Sequence, residues 1–210
     1  MKILAIEFSS EHRSIAVLDG ERLLAEQKVT KGRGTKALSL IESTLDHSEL
    51  CKLQIDCIAV GVGPGSYTGI RSAIALTQGW QLALGVKVLG INSLEAMAKG
   101  EQAAGRRGEI TLLVGAHRGQ FYLAKFDLAD EGIRNIESLR LVKQAEYELL
   151  IDSRSIVIGP AVSNNFPAAE HVGRLAIGRS DFIEASKLEP VYLLPVDYVK
   201  APPQRHIPRV

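Results

Sequence analysis

A glycine-rich segment between an apolar strand and a helix places the strongest constraint on how this chain folds. The segment is Gly63-Pro64-Gly65-Ser66-Tyr67-Thr68-Gly69. Residues 55–62 before it are largely β-branched and show no polar face, which is typical of a strand covered on both sides. Residues 70–84 after it contain no proline and are rich in helix-forming side chains. The pattern therefore predicts a strand, a tight glycine loop and a helix, in that order.

Two roles suit a loop of this composition, and its spacing alone leaves both open. Glycine allows a sharp turn and positive φ angles, and the hydroxyls of Ser66 and Thr68 stand where the first helical N–H groups lack partners. Such a loop either caps a tight strand-to-helix turn or holds a phosphate. It is not a Walker loop, because no Lys follows the last glycine. The candidate phosphate contacts are Gly63, Gly65, Ser66, Thr68 and Gly69, together with Ser9 and Ser10 near the N-terminus.

The N-terminal segment predicts a three-stranded antiparallel meander. Its strands are assigned to Lys2–Glu7, Ser14–Leu18 and Arg22–Val29, and the Asp19-Gly20 pair between the last two is a strong hairpin signal. Glu7 ends the first strand, at the position where phosphotransferases built on a paired meander carry an Asp that orients a metal-bound water. A longer carboxylate misplaces that water by about an ångström, which matters in catalysis. We therefore expect Glu7 to have a structural role.

Two helices of the first half are candidates for a contact with another chain. The first is predicted over residues 35–47, with Thr35 as its N-cap. The second, over residues 70–84, is apolar nearly all round. A helix without a polar face is either sandwiched in a large core or covered by another chain, and a domain this small makes the second alternative important.

The second half repeats the order of the first in a shorter form. A composition break at residues 102–109 marks the boundary between a domain 1–104 and a domain 105–210. Its elements are predicted strands at 110–115, 120–127, 138–142 and 155–159 and predicted helices at 144–151 and 168–177. The proline-rich tail 201–210 is expected to be disordered or docked on a partner. This order predicts two similar α/β halves that face a cleft.

Charge and cysteine content exclude some classes of protein. The chain has 25 Lys and Arg against 24 Asp and Glu, so no overall positive field draws it onto nucleic acid. Cys51 and Cys57 have no Cys or His partner at zinc-ligand spacing, and we expect both to be reduced. Met1-Lys2 leads directly into a strand pattern without a leader or a long apolar run. We therefore expect a cytoplasmic, soluble protein that does not associate with membranes.

Four segments spread over almost the whole chain point to a known family. They are 3–10 (Ile-Leu-Ala-Ile-Glu-Phe-Ser-Ser), 59–71 (Ala-Val-Gly-Val-Gly-Pro-Gly-Ser-Tyr-Thr-Gly-Ile-Arg), 90–94 (Gly-Ile-Asn-Ser-Leu) and 189–193 (Glu-Pro-Val-Tyr-Leu). They resemble the TsaB, or YeaZ, family of bacterial glycoprotease-like proteins, which is needed to place threonylcarbamoyl on the adenosine beside the anticodon of tRNAs that read codons starting with A. The resemblance implies the two-lobed actin-like ATPase (ASKHA) fold, an α/β fold, with a degenerate second lobe.

The resemblance also implies a scaffold role without catalysis. The catalytic relative, TsaD, carries a His-x-x-x-His metal pair, whereas His47 stands alone at the end of the first helix here. The implied partners are TsaD in a heterodimer and then TsaE, with tRNA reached only through the complex, and a homodimer when the chain is alone. Neither a metal nor a cofactor is expected, apart from weak nucleotide binding. The implied interface residues are Leu38, Ile41, Leu45, Ile70, Ile74, Thr77 and Trp80, with Trp80 as the expected hot spot.

Departures from the family pattern weaken the expectation of nucleotide binding. The family usually has Asp at the position of Glu7, a His-Ser pair near Thr35-Lys36, an acid near His117 and Arg at the position of Leu194. The first alternative function is a weak nucleotide-binding regulator of the actin-like superfamily, although the turn 116–120 lacks the acid that an ATPase needs. The second is a peptidase with Ser66 as nucleophile, although no His lies near it in sequence. The scaffold subunit ranks first.

Overall fold

The first sheet combines the N-terminal meander with two parallel strands. The computed structural model describes residues 1–30, 36–116, 119–151 and 156–193. The strands of this sheet are β1 (Lys2–Glu7), β2 (Arg13–Asp19), β3 (Arg22–Val29), β4 (Cys57–Gly61) and β5 (Lys87–Ile91). They lie in the order β3-β2-β1-β4-β5, with β1, β2 and β3 antiparallel and β4 and β5 parallel to β1. The predicted meander is confirmed.

Helices cover both faces of this sheet, which explains why its central strands are apolar throughout. The helices are α1 (Ala37–His47), α2 (Tyr67–Leu84), α3 (Ser93–Ala103) and, from the second half of the chain, α6 (Ala169–Ala176). Leu4 and Ile6 of β1 pack in the cluster that contains the inner sides of α1 and α2, whereas Ile3 and Ala5 pack in the cluster that contains α6. Successive side chains of a strand point to opposite faces, so a strand buried on both sides shows no polar alternation.

The second sheet repeats the strand order of the first. Its strands are β6 (Gly108–Gly115), β7 (Gln120–Leu128), β8 (Ile133–Lys143) and β9 (Val157–Ile158). Their order, β8-β7-β6-β9, matches β3-β2-β1-β4, with the same antiparallel meander and the same parallel fourth strand. Among the described residues, no strand of this sheet corresponds to β5. The predicted two-lobed, actin-like α/β fold with a degenerate second lobe is confirmed.

Short helices complete the second lobe, and α3 lies between the two sheets. The helix α4 (Gln144–Ile151) has the predicted bounds, and α5 (Pro160–Ser163) is a single turn that the sequence did not predict. On one side α3 contributes Ala96 to the cluster beneath the first sheet, and on the other it contributes Leu94 and Met97 to the cluster beneath the second. No helix in the described ranges has the length and apolar character needed to cross a membrane.

The assignment of residues 105–210 to the second lobe needs a correction from residue 169 onward. The apolar side of α6, which includes Val172 and Ala176, is buried against the first sheet. Beyond it, the chain continues along the first lobe, where the N–H of Ile183 donates to Val88 O at 3.0 Å and that of Val191 to Val62 O at 2.8 Å. The apolar side of α6 packs on the first sheet and on Ala96 of α3, so this segment is part of the core of the first lobe. Leu194 and the predicted tail 201–210 lie outside the described residues.

Two helix starts differ from the sequence prediction. The helix α1 begins at Ala37 with Lys36 at the N-cap position and no side-chain capping bond, while Thr35, predicted as the cap, lies outside the described residues. The helix α2 begins at Tyr67, because the hydroxyl of Ser66 accepts a bond from the N–H of Gly69 at 3.3 Å. The first turn of α2 therefore includes residues that the sequence analysis assigned to the loop.

Candidate functional site

The glycine loop lies directly on the turn that follows β1. Gly63 has φ 93° and Gly65 φ 152°, conformations that other residues rarely adopt. A Cβ atom at Gly65 would overlap the carbonyl oxygen of Ser9, and one at Gly69 would overlap that of Phe8. The glycines are thus required so that the loop and the start of α2 can approach the backbone of the first strand.

Much of the loop's main chain is already hydrogen-bonded within the protein. The N–H of Gly63 donates to Ser93 Oγ at 3.2 Å, that of Ser66 to Ser9 O at 2.6 Å, and that of Gly69 to Ser66 Oγ at 3.3 Å. These bonds fit the capped turn. Among the described residues, the N–H groups of Gly65, Tyr67 and Thr68 donate no such bond, so a phosphate contact at the loop stays a prediction.

The remaining candidate phosphate contacts are also placed by local structure. The Oγ of Ser10 donates to His12 O at 2.9 Å and accepts from the N–H of His12 at 3.1 Å, which closes a turn. Ser9 is buried, whereas Thr68 is exposed and its carbonyl accepts from Ser72 Oγ at 2.8 Å. Only Thr68 of this set lies on the surface of a helix, and a phosphate contact there stays a prediction.

Glu7 is fully buried and joins three parts of the first lobe. Its Oε1 accepts from the N–H of Ser9 at 2.6 Å and its Oε2 from Ser93 Oγ at 2.8 Å. A Cβ atom at Gly61 would overlap the carboxylate, so the end of β4 is shaped to admit it. Burial raises the pKa of Glu7, against the opposing effect of the bonds from Ser9 and Ser93. This carboxyl therefore joins the end of β1 to α3 and lies against the end of β4, which is a structural use of Glu7.

Five of the seven predicted interface residues are buried inside the chain itself. They are Ile41, Leu45, Ile70, Ile74 and Thr77. Their apolar side chains pack on the first sheet, and the hydroxyl of Thr77 donates to Ala73 O at 2.9 Å within α2. The prediction of a partner contact by these five is wrong, because the stripe that was assigned to a partner faces the sheet of the same chain. Trp80 is half-buried against that core, and Leu38 is 60% exposed.

The opposite side of α2 is exposed and was missed by the sequence analysis. We call it the outer face of α2 and define it by Thr68, Arg71, Ala75, Gly79 and Leu82, which recur at three- and four-residue spacing. Leu82 is 91% exposed, and Ala75 and Gly79 beside it are small. Small side chains at a helix surface let another helix approach closely. An exposed leucine on the same face offers that helix an apolar contact. The sequence did contain a signal for this face, because these five residues recur on the side of the helix opposite its longest apolar stripe.

An aromatic cluster borders the outer face of α2 at its first turn. The rings of Tyr67 and Tyr192 are stacked with centroids 5.3 Å apart, and the guanidinium carbon of Arg71 lies 4.5 Å from the Tyr67 ring centroid. The hydroxyl of Tyr192 donates to Tyr67 O at 3.3 Å. Two of the segments that carry the family resemblance, 59–71 and 189–193, therefore meet at one surface.

Metal-binding side chains do not converge in the ranges 1–30, 36–116, 119–151 and 156–193. There, no group of three His, Cys, Asp or Glu residues is arranged to hold a metal ion. The ring Nδ1 of His47 lies 2.7 Å from Ser43 O in the last turn of α1, and both cysteines are free thiols. His117, where the family usually has an acid nearby, lies outside the described residues.

Comparison with known proteins places this geometry in a family. A family model described as TsaD, tRNA N6-adenosine threonylcarbamoyltransferase, matches residues 29–169, which is more than half of the chain. The tRNA threonylcarbamoyladenosine biosynthesis protein TsaB of Escherichia coli (strain K12) is 28% identical over 147 residues, covering 70% of this chain and 64% of that protein. TsaB of Bacillus subtilis (strain 168) is 28% identical over 163 residues, covering 71% of this chain and 69% of that protein.

Solved structures agree on the fold. YeaZ from Pseudomonas aeruginosa is 24% identical, and the superposition has a TM-score of 0.80 over 91% of this chain and 99% of that one. At this level of identity the likeness establishes the fold alone. The match to the first curated relative extends over 64% of that protein's length, so the similarity does not reach its whole chain.

Proposed function

The chain belongs to the TsaD family, tRNA N6-adenosine threonylcarbamoyltransferase, and from that membership we propose that it acts in the biosynthesis of threonylcarbamoyladenosine in tRNA. Its curated relatives in Escherichia coli and Bacillus subtilis are TsaB proteins named for that pathway. We propose further that the chain is a non-catalytic subunit that binds and activates TsaD. TsaE and tRNA then join through the complex, and the place of action is the cytoplasm, where tRNA is used.

The state of the candidate catalytic groups supports a non-catalytic role. Glu7 is buried and hydrogen-bonded, so its carboxylate lacks the access to solvent that a catalytic acid of this superfamily needs. Ser66 Oγ caps α2 by accepting from the N–H of Gly69 at 3.3 Å, which is a structural task rather than that of an activated nucleophile. These residues hold the first lobe together, and they provide the rigid base from which α2 is presented.

The single observation that carries the proposed partner contact is the exposure of Leu82. At 91% exposed, it is the most exposed large apolar side chain of the described residues, and it lies on a helix whose other side is fully packed. A large apolar side chain that is exposed on an otherwise well-packed element marks a candidate site of protein interaction. We propose that the outer face of α2, with Leu38 of α1 on the same side of the sheet, contacts TsaD, and that the same surface forms a homodimer when TsaD is absent.

A reconstituted reaction tests the supporting role. TsaD of the same organism and the remaining pathway components are incubated with tRNA, with and without this chain, and modified adenosine is measured by mass spectrometry. We expect modification only when both TsaD and this chain are present, and we expect Ser66→Ala of this chain to support it as the wild type does. An equal rate from TsaD without this chain would contradict the proposal, as would modification by this chain without TsaD.

A further inference from the structure

The last turn of α3 lies where the chain leaves the first lobe. In the described part of the chain, two connections join the lobes: residues 104–107 lead from α3 to β6, and residues 164–168 lead from α5 back to α6. Both contain left-handed backbone, with φ 90° at Gly105 and φ 52° at Asn164. Hinges between domains are commonly a few loop residues of this kind, so the angle between the lobes depends on contacts outside the backbone of the connections.

One buried carboxylate binds both connections. Glu101 of α3 is 7% exposed. Its Oε2 accepts from Arg106 Nε at 2.5 Å in the connection that leaves the first lobe, and its Oε1 accepts from Asn165 Nδ2 in the connection that returns. The N–H of Arg106 also donates to Glu101 O at 3.0 Å. Each oxygen of the carboxylate is therefore used for a different connection.

The residues on either side of Glu101 contact other parts of the same junction. A Cβ atom at Gly100 would lie 2.9 Å from His171 Cδ2, so the glycine lets α6 approach α3 closely. The Nε2 of Gln102 donates to Ala129 O at 2.5 Å in the turn between β7 and β8. Three consecutive residues of α3 therefore contact α6, both connections and the second sheet.

The pairing of Glu101 makes its position specific. A buried carboxylate is costly unless its oxygens are hydrogen-bonded, and a bond from a charged donor is stronger than one from a neutral donor. The apolar contacts of α3 with the second sheet do not fix a direction in this way, because hydrophobic contact is non-directional. We propose that Glu101 fixes the angle between the two lobes by binding both connections at once, so that a partner meets the lobes as one rigid body.

Double electron–electron resonance on the full chain tests this proposal, which does not depend on the role in tRNA modification. One spin label is attached to Cys51, the exposed thiol of the first lobe, and one to Ala145→Cys on the exposed side of α4, while the buried Cys57 stays unlabelled. We expect one narrow distance distribution with Glu101 present. In Glu101→Ala the distribution should be at least about twice as wide, because both connections are released.

Variants of the two donors keep the test decisive. If Glu101→Ala does not fold, Arg106→Gln and Asn165→Ala take its place. Each removes one of the two side-chain bonds and should widen the distribution by a smaller amount. The control is Asp130→Asn, which weakens the bond from Arg107 Nε at 2.6 Å beside the junction and leaves the bonds of Glu101 intact. Its distribution should equal that of the wild type.

Three results would overturn the proposal. The first is an unchanged distribution in Glu101→Ala or, where that variant does not fold, in both donor variants. The second is a lower urea midpoint in these variants without any change in distance, because Glu101 would then stabilise the chain without setting the angle. The third is a distribution in Asp130→Asn as wide as that in the Glu101 or donor variants, because any change at the junction would then have the same effect.

Discussion

In the first lobe, the parallel strand β4 is followed by the 18-residue helix α2. In the second lobe, the corresponding strand β9 is followed by α5, which has four residues. In each lobe a glycine beyond the parallel strand lies against the backbone of the meander, just after β1 in the first lobe and within β6 in the second. A Cβ at Gly69 would overlap Phe8 O, and one at Gly159 would overlap Leu113 O. The close approach of backbone to backbone is thus kept in both lobes. What the second lobe lacks is the long helix and, with it, the outer face that we propose as the partner surface.

The largest expected effect is on the free energy of unfolding when alanine replaces each of these two glycines. Gly69→Ala should lower the free energy of unfolding by about 3 kcal/mol or more, because the new methyl group meets backbone and the whole of α2 would have to shift. Gly159→Ala should cost less, since only a single turn follows it. Urea unfolding measures both.

The matched control for these variants is Gly79→Ala on the outer face of α2. No atom lies within 4 Å of a Cβ built there, so the variant should be more stable by about 0.5 to 1 kcal/mol through helix propensity. Equal costs for Gly69→Ala and Gly159→Ala would show that the first lobe does not depend on α2 more than the second depends on α5.

The next largest effect is the difference in stability between substitutions on the buried and on the exposed side of α2. Ile74→Ala should lower the free energy of unfolding by about 2 to 4 kcal/mol, because Ile74 is buried in the core cluster of the first lobe. Leu82→Ala should change it by no more than about 0.5 kcal/mol, because Leu82 touches little of its own chain. Guanidinium unfolding of the two variants measures the difference. Similar costs at both positions would mean that Leu82 belongs to the core of the chain.

A smaller effect is expected from the cap of α2. Ser66→Ala removes the acceptor of the Gly69 N–H and should lower the free energy of unfolding by about 1 kcal/mol. Ser66→Asp, which keeps an acceptor, should lose much less. Thermal unfolding of the three proteins compares them, and a cost in Ser66→Asp equal to that in Ser66→Ala would argue against a capping role.

Glu7 makes the first lobe sensitive to pH, whereas the corresponding strand β6 ends at Gly115 and carries no carboxyl there. Because burial raises the pKa of Glu7, the folded state binds its proton more tightly than the unfolded chain does. The stability that Glu7 contributes is therefore full below the unfolded pKa of about 4.3 and is lost as pH rises through the folded pKa.

The expected outcome for Glu7→Gln follows from this sign. The variant should lose stability less than the wild type does as pH rises from about 4 to 8, because it has no proton to release. Urea unfolding at a series of pH values measures the two curves. Parallel curves would show that Glu7 does not titrate in this window.

The order of elements was predictable because it depends on local patterns. The hairpin at Asp19-Gly20 and the bounds of α4 both agree with the sequence prediction. The repeated order of strands also followed from these patterns. Each of these features depends on residues that are near neighbours in the sequence.

The candidate site was harder to predict because it depends on contacts between distant segments. The apolar stripe of α2 was visible, but the sequence does not tell whether the sheet or a partner covers it, and Ile70, Ile74 and Thr77 were assigned to the wrong side. The return of α6 to the first sheet was equally hidden, since its apolar side chains could pack on either lobe. Residues 163–168 likewise meet β2 and β3 only in the folded chain, where they line a cavity together with Arg13 and Lys28.

The central claim is that the outer face of α2 binds TsaD, and co-purification with TsaD of the same organism tests it most directly. Size-exclusion chromatography with light scattering would compare the wild type with Leu82→Glu and with Leu149→Glu, a matched change of a 73% exposed leucine on α4. A charge buried without a partner at an interface is strongly unfavourable. The account predicts a one-to-one complex for the wild type and Leu149→Glu and its loss in Leu82→Glu. A complex that survives Leu82→Glu, or that is lost in Leu149→Glu instead, would contradict it.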